Sequence, residues 1–517
     1  MPRSSRNYEA FRKLTTLIGL PAKRAVSQIG TFVDGAVDIG SIDDLSHVIR
    51  LATDLHATTI PGTAKAELSY FLANAWAGMR TLVRGDQAAR WKWKQTEFEK
   101  ELYYLRLAAH SDAFKSLIPI RRAQILTNTG NLLNHIGRSL EAIELYEAAM
   151  NIVPEFGMAM ANRGLALKSL AHSHYDTGQA HLLMHAAWKA LVNAPTSQID
   201  PAARKFFKAS AQQIEQWLCK DFLEAEQPTP RIGLGRTANE RRYREWALQN
   251  KLFLNPLIAL GALPVAARDT LNLPGIVVSI NEGPGLLGIF NQIKQEFVSA
   301  RFLLWEAVTS SRSHFSDRET HLIDTLDYPS YGIAVEKARL AFRMSYSILD
   351  KCAFLLNKHL KLGISDRAIN LNRLWFNAGD PRKGFNPALV DTDNWPLRGL
   401  FWLARDLYDD DGFVDALEPQ AKELKAIRDH LEHKYLKVHE IVRSVAAPSF
   451  LDDQYATSIS RTSFEAKAMT IMKLARAAVT YLSLGIHSDE RKRAKVRPDS
   501  EIVPPMVLPK IIEAGRR

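Results

Sequence analysis

Apolar residues recur every three or four positions along this chain, and that spacing predicts helices. In AKAELSYFLANAWAGMRTLV, Leu68, Leu72, Ala75, Trp76 and Met79 fall on one helical face, and FEKELYYLRLAAHS reads as another helix. Farther on, four long segments each carry an apolar stripe: Leu287 to Val308, Tyr331 to Leu360, Pro419 to Arg443 and Phe464 to Leu484. Each is long enough to take a place in a four-helix bundle. In the third of them no Gly or Pro interrupts Ala421 to His439, and Ala, Glu, Lys and Leu dominate. Leu424, Ile427, Leu431, Tyr435 and Val438 form its stripe. At about 100° per residue, Asp429 and His433 lie about one turn apart on the opposite face, with Arg428 about 140° round from His433. The fold class these patterns predict is all-α.

The N-terminal half adds a repeat. In AQILTNTGNLLNHIGRSLEAIELYEAAMNIVP, Gly130, Gly137, Ala142, Tyr146, Ala149 and Pro154 stand where tetratricopeptide repeats want small, aromatic and helix-ending residues. Gly164 follows Gly130 by one period of that repeat, and AHLLMHAAWKALVNAP closes the second copy after an insertion around HSHYDTG. A short tetratricopeptide-like solenoid over 1–223 is therefore expected, with a non-repeat helical bundle as the alternative. Such stacks present a concave surface to a protein or peptide. EAEQPTPRIGLGR, residues 224–236, reads as a linker, 237–486 as a second helical domain, and 487–517 as a basic, partly ordered tail. Arg491, Lys492, Arg493, Lys495 and Arg497 open that tail. Within the second domain, GDPRKGFNPALVDTDNWP, with Arg382 and Lys383, reads as an irregular connector.

Composition narrows the partners. A net charge of +11 and a pI near 9.4 favour a polyanion such as RNA. The two cysteines, Cys219 and Cys352, form neither a disulfide framework nor a zinc spacing, as expected in a reducing compartment. The N-terminus lacks the apolar run of a signal peptide and no uncharged stretch reaches membrane-spanning length, so a cytoplasmic protein with no membrane partner is expected.

Other chemistries find little support. Gly283, Gly285 and Gly288 imitate a dinucleotide loop, but no strand–helix alternation surrounds them and Pro284 removes a backbone donor. His181 and His185 lie one helical turn apart without a third ligand nearby in sequence. A magnesium nuclease needs clustered acids, and the nearest, Asp409, Asp410 and Asp411, read as a helix stop. No cofactor and no metal are expected. Asp350 and Glu296 are polar residues inside apolar helices, read as neighbours of the Arg428–His433 cleft or as structural ion pairs.

An arginine is a permanent forked cation for phosphate, a histidine moves protons near neutral pH, and an aspartate one turn before it is placed to fix its tautomer. Arg428, Asp429 and His433 are thus candidates to hold and cleave a phosphodiester. The run Arg428-Asp429-His430-Leu431-Glu432-His433 on a C-terminal helix resembles the signature of the HEPN superfamily, and His433-Lys434-Tyr435 extends it to the Arg-x4-His-x-Tyr form of HEPN toxins. Upstream, YREWALQNKLFLNPL, FNQIKQEFVSARFLLWEA, DTLDYPSYGIAVEKARLAFRMSYSILDKCAFLLN and NRLWFN are similar to the HEPN branch fused behind tetratricopeptide repeats. The resemblance covers Glu240 to Leu484. It implies a C-terminal HEPN-type helical bundle and a metal-independent endoribonuclease of toxin or anti-phage defence systems. It also implies attack by the ribose 2′-OH, a homodimer with a composite site, and Tyr435 as an acceptor of nucleotide adducts. The alternative is a non-catalytic adaptor, whose repeats bind a protein and whose bundle binds RNA or dimerises.

Overall fold

The computed structural model describes residues 9, 11–83, 92–197, 199–227, 230, 232–279, 281–310, 313–325, 327–390, 392–407, 418, 421–440, 455–498 and 503–511. The molecule is all-α apart from one two-stranded sheet among the described residues. Helices α1 (Ala22–Ile39), α2 (Ile42–His56) and α3 (Gly62–Val83) enclose a small N-terminal core containing Phe11, Ile29, Leu45, Val48, Leu68 and Leu72. Then come α4 (Thr96–Ala109), α5 (Pro119–His135), α6 (Ser139–Ile152), α7 (Gly157–His172), α8 (Thr177–Val192) and α9 (Pro201–Glu215). Their pairing as hairpins α5/α6 and α7/α8 follows from two glycines. A Cβ at Gly130 would stand 2.7 Å from the Tyr146 ring, and one at Gly164 2.9 Å from the Ala187 carbonyl, so only glycine lets each pair cross this closely.

The second half holds α10 (Ala238–Gln249), α11 (Gly285–Thr309), α12 (Ile333–His359), α13 (Trp395–Leu407) and α14 (Ala421–His433). Strands β1 (Tyr435–His439) and β2 (Ala456–Ser460) and the long α15 (Arg461–Val496) complete it. Helices α11, α12, α13 and α15 pack together, with α14 laid against α12 and α13. Three sequence expectations change here. The helix expected through Arg443 ends at His433, and Tyr435 to His439 form β1, which pairs in parallel with β2. A helix not expected, α13, fills the bundle, with every residue from Pro396 to Leu407 buried. The helix expected to stop at Leu484 runs to Val496, so the basic residues Arg491, Lys492, Arg493 and Lys495 ride on its last turns. Two of them are spent locally: Lys492 donates to Thr392 at 2.7 Å, and Arg493 pairs with Asp489 at 2.8 Å. The Asp409–Asp411 run lies outside the described residues.

One core runs through repeats and bundle alike. From Ala475 to Ile486 every position of α15 is buried, because hairpins flank it on one side and bundle helices on the other. Gly137 sits so close to the Trp395 carbonyl that a Cβ would overlap it. Around that contact Asp406 of α13 takes Arg106 at 2.5 Å and also Arg138, while Arg405 reaches Glu99 at 2.7 Å. Along α6, Glu144 takes Arg476 at 2.8 Å and Lys473 at 2.9 Å, and Glu147 takes Arg163 at 3.0 Å and also Lys251. Much of the hairpin surface is therefore occupied by the chain's own second half.

Candidate functional site

Helix α14 presents Leu424, Ile427 and Leu431 to the core, each under a tenth exposed. The remaining two members of the expected stripe, Tyr435 and Val438, belong to β1 instead. Nothing local forces this change, since no Gly or Pro intervenes. Tertiary partners override helix propensity. Lys434 N–H closes the last turn on the His430 carbonyl at 3.2 Å. Arg343 of α12 donates to the Leu431 carbonyl, and Arg339 to the Leu436 carbonyl at 2.8 Å. Ser330 N–H meets the Val438 carbonyl at 2.7 Å, and β2 pairs with β1 from Tyr435↔Ala456 to His439↔Ser460. His433 is consequently the last helical residue, exposed beside exposed Glu432 and Lys434.

Arg428 is half-buried, its guanidinium 5.0 Å from the centre of the Tyr346 ring and 3.6 Å from Asp429. It also feels Asp350, one turn beyond Tyr346 on α12. Burial raises the Asp350 pKa, while the Leu371 N–H at 3.1 Å and the Arg428 charge pull it back. Asp429 thus lies with Arg428 and makes no ion pair with His433 among the described residues; an Asp429 role in fixing the imidazole tautomer has no contact behind it. Nor does any hydrogen bond join Arg428 to His433 within one chain. The helix aims them about 140° apart.

The other candidates divide. Glu296 of α11 is held by Lys351 and accepts from Gln292 at 2.9 Å, a structural pairing without Arg428 or His433. Tyr435 shares a 2.8 Å hydrogen bond between phenols with Tyr331; burial and that bond push its pKa up to about 12. His430, unremarked in the sequence, has both ring nitrogens engaged. Nδ1–H donates to the Ala426 carbonyl at 2.7 Å, which leaves Nε2 to accept from the Thr457 hydroxyl at 2.8 Å and ties α14 to β2. Also missed were Arg339, Arg343 and Tyr346. With Asp350 they recur along α12 within an arc of about 60°, a polar stripe under α14 and β1 whose spacing was readable.

The Gly283–Gly288 run lacks the strand that leads into a dinucleotide loop. Residues 270–279 before it contain no strand, and the three glycines have open space where a Cβ would stand. His185 is tied to the Leu223 carbonyl at 3.1 Å, and His181 edges the Phe222 ring. Among the described residues, one set has metal-ligand types converging: His359, Asp489 and Glu490. His359 Nε2 lies 2.9 Å from Asp489 and 3.9 Å from Glu490, and Arg493 pairs with both carboxylates. Those contacts tie the end of α12 to the last turns of α15.

Residues 277–489, from just before α11 into the last turns of α15, match the family model described as LA2681-like HEPN. No curated protein and no solved structure matches the chain.

Proposed function

The chain belongs to the HEPN superfamily through residues 277–489, and on that premise we propose that it is a metal-independent endoribonuclease. The observation that supports this most is the division of labour on α14: Arg428 is anchored over Tyr346 while His433 stands exposed at the helix end. Arg428 would hold a non-bridging phosphate oxygen. One His433 would take the proton of the ribose 2′-OH as that oxygen attacks phosphorus. The 5′-oxygen leaves and receives a proton from a second histidine, so the products are a 2′,3′-cyclic phosphate and a 5′-hydroxyl. DNA lacks the attacking group. The second histidine and a second arginine come from another copy of the chain, which makes the active unit a homodimer.

In this reading the helical hairpins are tetratricopeptide-like repeats acting as sensor or partner-binding module, and the protein is a cytoplasmic toxin or anti-phage effector acting on RNA. No described helix is long and apolar enough to cross a membrane. The decisive experiment compares wild type with His433→Ala on total RNA, with and without EDTA. Wild type should cut in EDTA and leave cyclic phosphate ends, and the variant should not. Loss of cutting in EDTA with rescue by magnesium would sink the mechanism. The adaptor reading draws on one observation, that Arg428 and His433 do not meet within a chain. It wins if Arg428→Ala and His433→Ala leave the biological output intact while changes on the hairpin surface abolish it.

A further inference from the structure

Helix α12 does more than support the bundle. Its polar stripe meets α14 and β1 at four places. Arg339 holds the Leu436 carbonyl, Arg343 holds the Leu431 carbonyl, the Tyr346 ring lies under Arg428, and the charge of that guanidinium acts on Asp350. Leu431 and Leu436 bracket the turn that carries His433. The Leu431 carbonyl is one of the last four of its helix, and such groups lack an intrahelical partner. Arg343 therefore acts as a side-chain cap two residues before His433, and Arg339 pins the chain three residues after it.

Both arginines make these contacts at a cost. Each leaves its Nε–H buried without a hydrogen-bond acceptor among the described residues, although Glu432 stands 3.9 Å from that of Arg343. A buried donor left unpaired calls for an explanation, and a cation serving only solubility would turn outward. Arg343 keeps its other donor on backbone instead. Its side chain remains about two-fifths exposed, beside the exposed Glu432–Lys434 turn.

We propose that Arg343 is a positioning residue for His433, fixing the end of α14 so that the imidazole projects from a rigid turn. The inference rests on the ribonuclease reading for its kinetic part alone; the structural part stands on the contacts. General acid–base chemistry needs the imidazole within hydrogen-bond reach of the transferred proton, and small misplacements are expensive. Arg343→Met keeps most of the aliphatic stem and removes the cap, whereas Arg343→Lys keeps a charged donor of shorter reach.

The test uses the full-length protein. The His433 ring resonance, assigned by its loss in His433→Gln, is followed by 1H–13C NMR in wild type and both variants. RNA cleavage is measured alongside. Arg343→Met should shift or broaden that resonance and lower kcat roughly 10- to 100-fold with KM held within about twofold. Arg343→Lys should recover part of both. An unmoved resonance overturns the proposal, as does a rise in KM at constant kcat, which would make Arg343 an RNA contact. Should Arg343→Met fail to fold, Arg343→Lys decides by the same two readings. If the wild type cuts no RNA, the ribonuclease reading fails, and the resonance still decides whether Arg343 sets His433.

Discussion

Among single residues, Arg428 and His433 differ in what their removal should cost. His433 is exposed, so His433→Ala should leave the thermal midpoint nearly unchanged while cleavage falls about 100-fold or more. Arg428→Ala should lower cleavage similarly and, in addition, free Asp350 of its compensating charge. The pH dependence of stability reads that environment directly. Asp350 has its folded-state pKa raised, burial first, so the folded state binds its proton more tightly than the unfolded chain does. Stability is then greatest below the ordinary carboxylate pKa of about 4 and declines as pH rises toward the folded value. Asp350→Asn can still accept from Leu371 N–H, so it should raise the thermal midpoint at pH 7 and change it little at pH 3 to 4. A lower midpoint for the variant at pH 7 would show that the attraction to Arg428 outweighs burial. The outward aim of His433 was legible, because a period of about 3.6 residues sets it whatever the tertiary context. The company Arg428 keeps was not, since Tyr346 lies 82 positions earlier and cross-helix contacts leave no local mark.

At the scale of elements, the all-α class and the course of α11 and α12 followed from apolar periodicity, since both helices bury one face and wet the other. Two elements escaped it, for different reasons. Helix α13 does carry a stripe, with Leu397, Leu400, Phe401 and Ala404 on one side, but it spans only Trp395–Leu407 behind a turn-rich connector, and its polar side, with Arg398, Arg405 and Asp406, is buried as well. Strand β1 continues a helical pattern without a break, because Tyr435 and Val438 keep the three-and-four spacing while Leu436 and Val438 supply the buried positions of a strand. Which form wins is decided from outside, by β2, Ser330 and the two arginines of α12. The junction between α14 and β1 should therefore be sensitive to remote changes. Thr457→Val removes the hydroxyl that meets His430 Nε2 and keeps the shape of the side chain. It should cost about 1 kcal/mol, seen as a lower midpoint in urea at constant slope. Leu431→Ala, by contrast, empties a core position and should cost about 2–5 kcal/mol.

In the molecule as a whole, the hairpins and the bundle are joined by buried charge. Burial alone would raise the pKa of Glu144, but Arg476, Lys473 and Lys251 outweigh it and bring the value to about 2. A depressed carboxylate contributes stability that is complete above its unfolded pKa and lost as pH falls toward the folded value. Glu144→Gln should thus destabilise the protein at pH 7, and its thermal midpoint should converge with that of wild type between pH 4.5 and about 2. Asp406→Asn, which strips the charge facing two buried arginines, should cost about 3–5 kcal/mol. Such a joint leaves the two halves little freedom to separate. In the proposed ribonuclease, one chain would supply only part of the site. Arg428 is committed to α12, His433 points outward about 140° away, and a single guanidinium is a thin cradle for the charge that develops on a phosphodiester. A two-fold axis near His433 would place two arginines and two histidines around one phosphate, and closed two-fold dimers are the commonest assembly. Light scattering should show a dimer under the conditions in which RNA is cut. If both histidines serve each cleavage, an equal mixture of wild type and His433→Ala chains, exchanged to equilibrium, leaves about a quarter of the dimers wild type. Activity should then fall to roughly that quarter, whereas dilution alone would leave about half. Activity that tracks the wild-type fraction linearly, or a fully active monomer, would mean that one chain supplies the whole site.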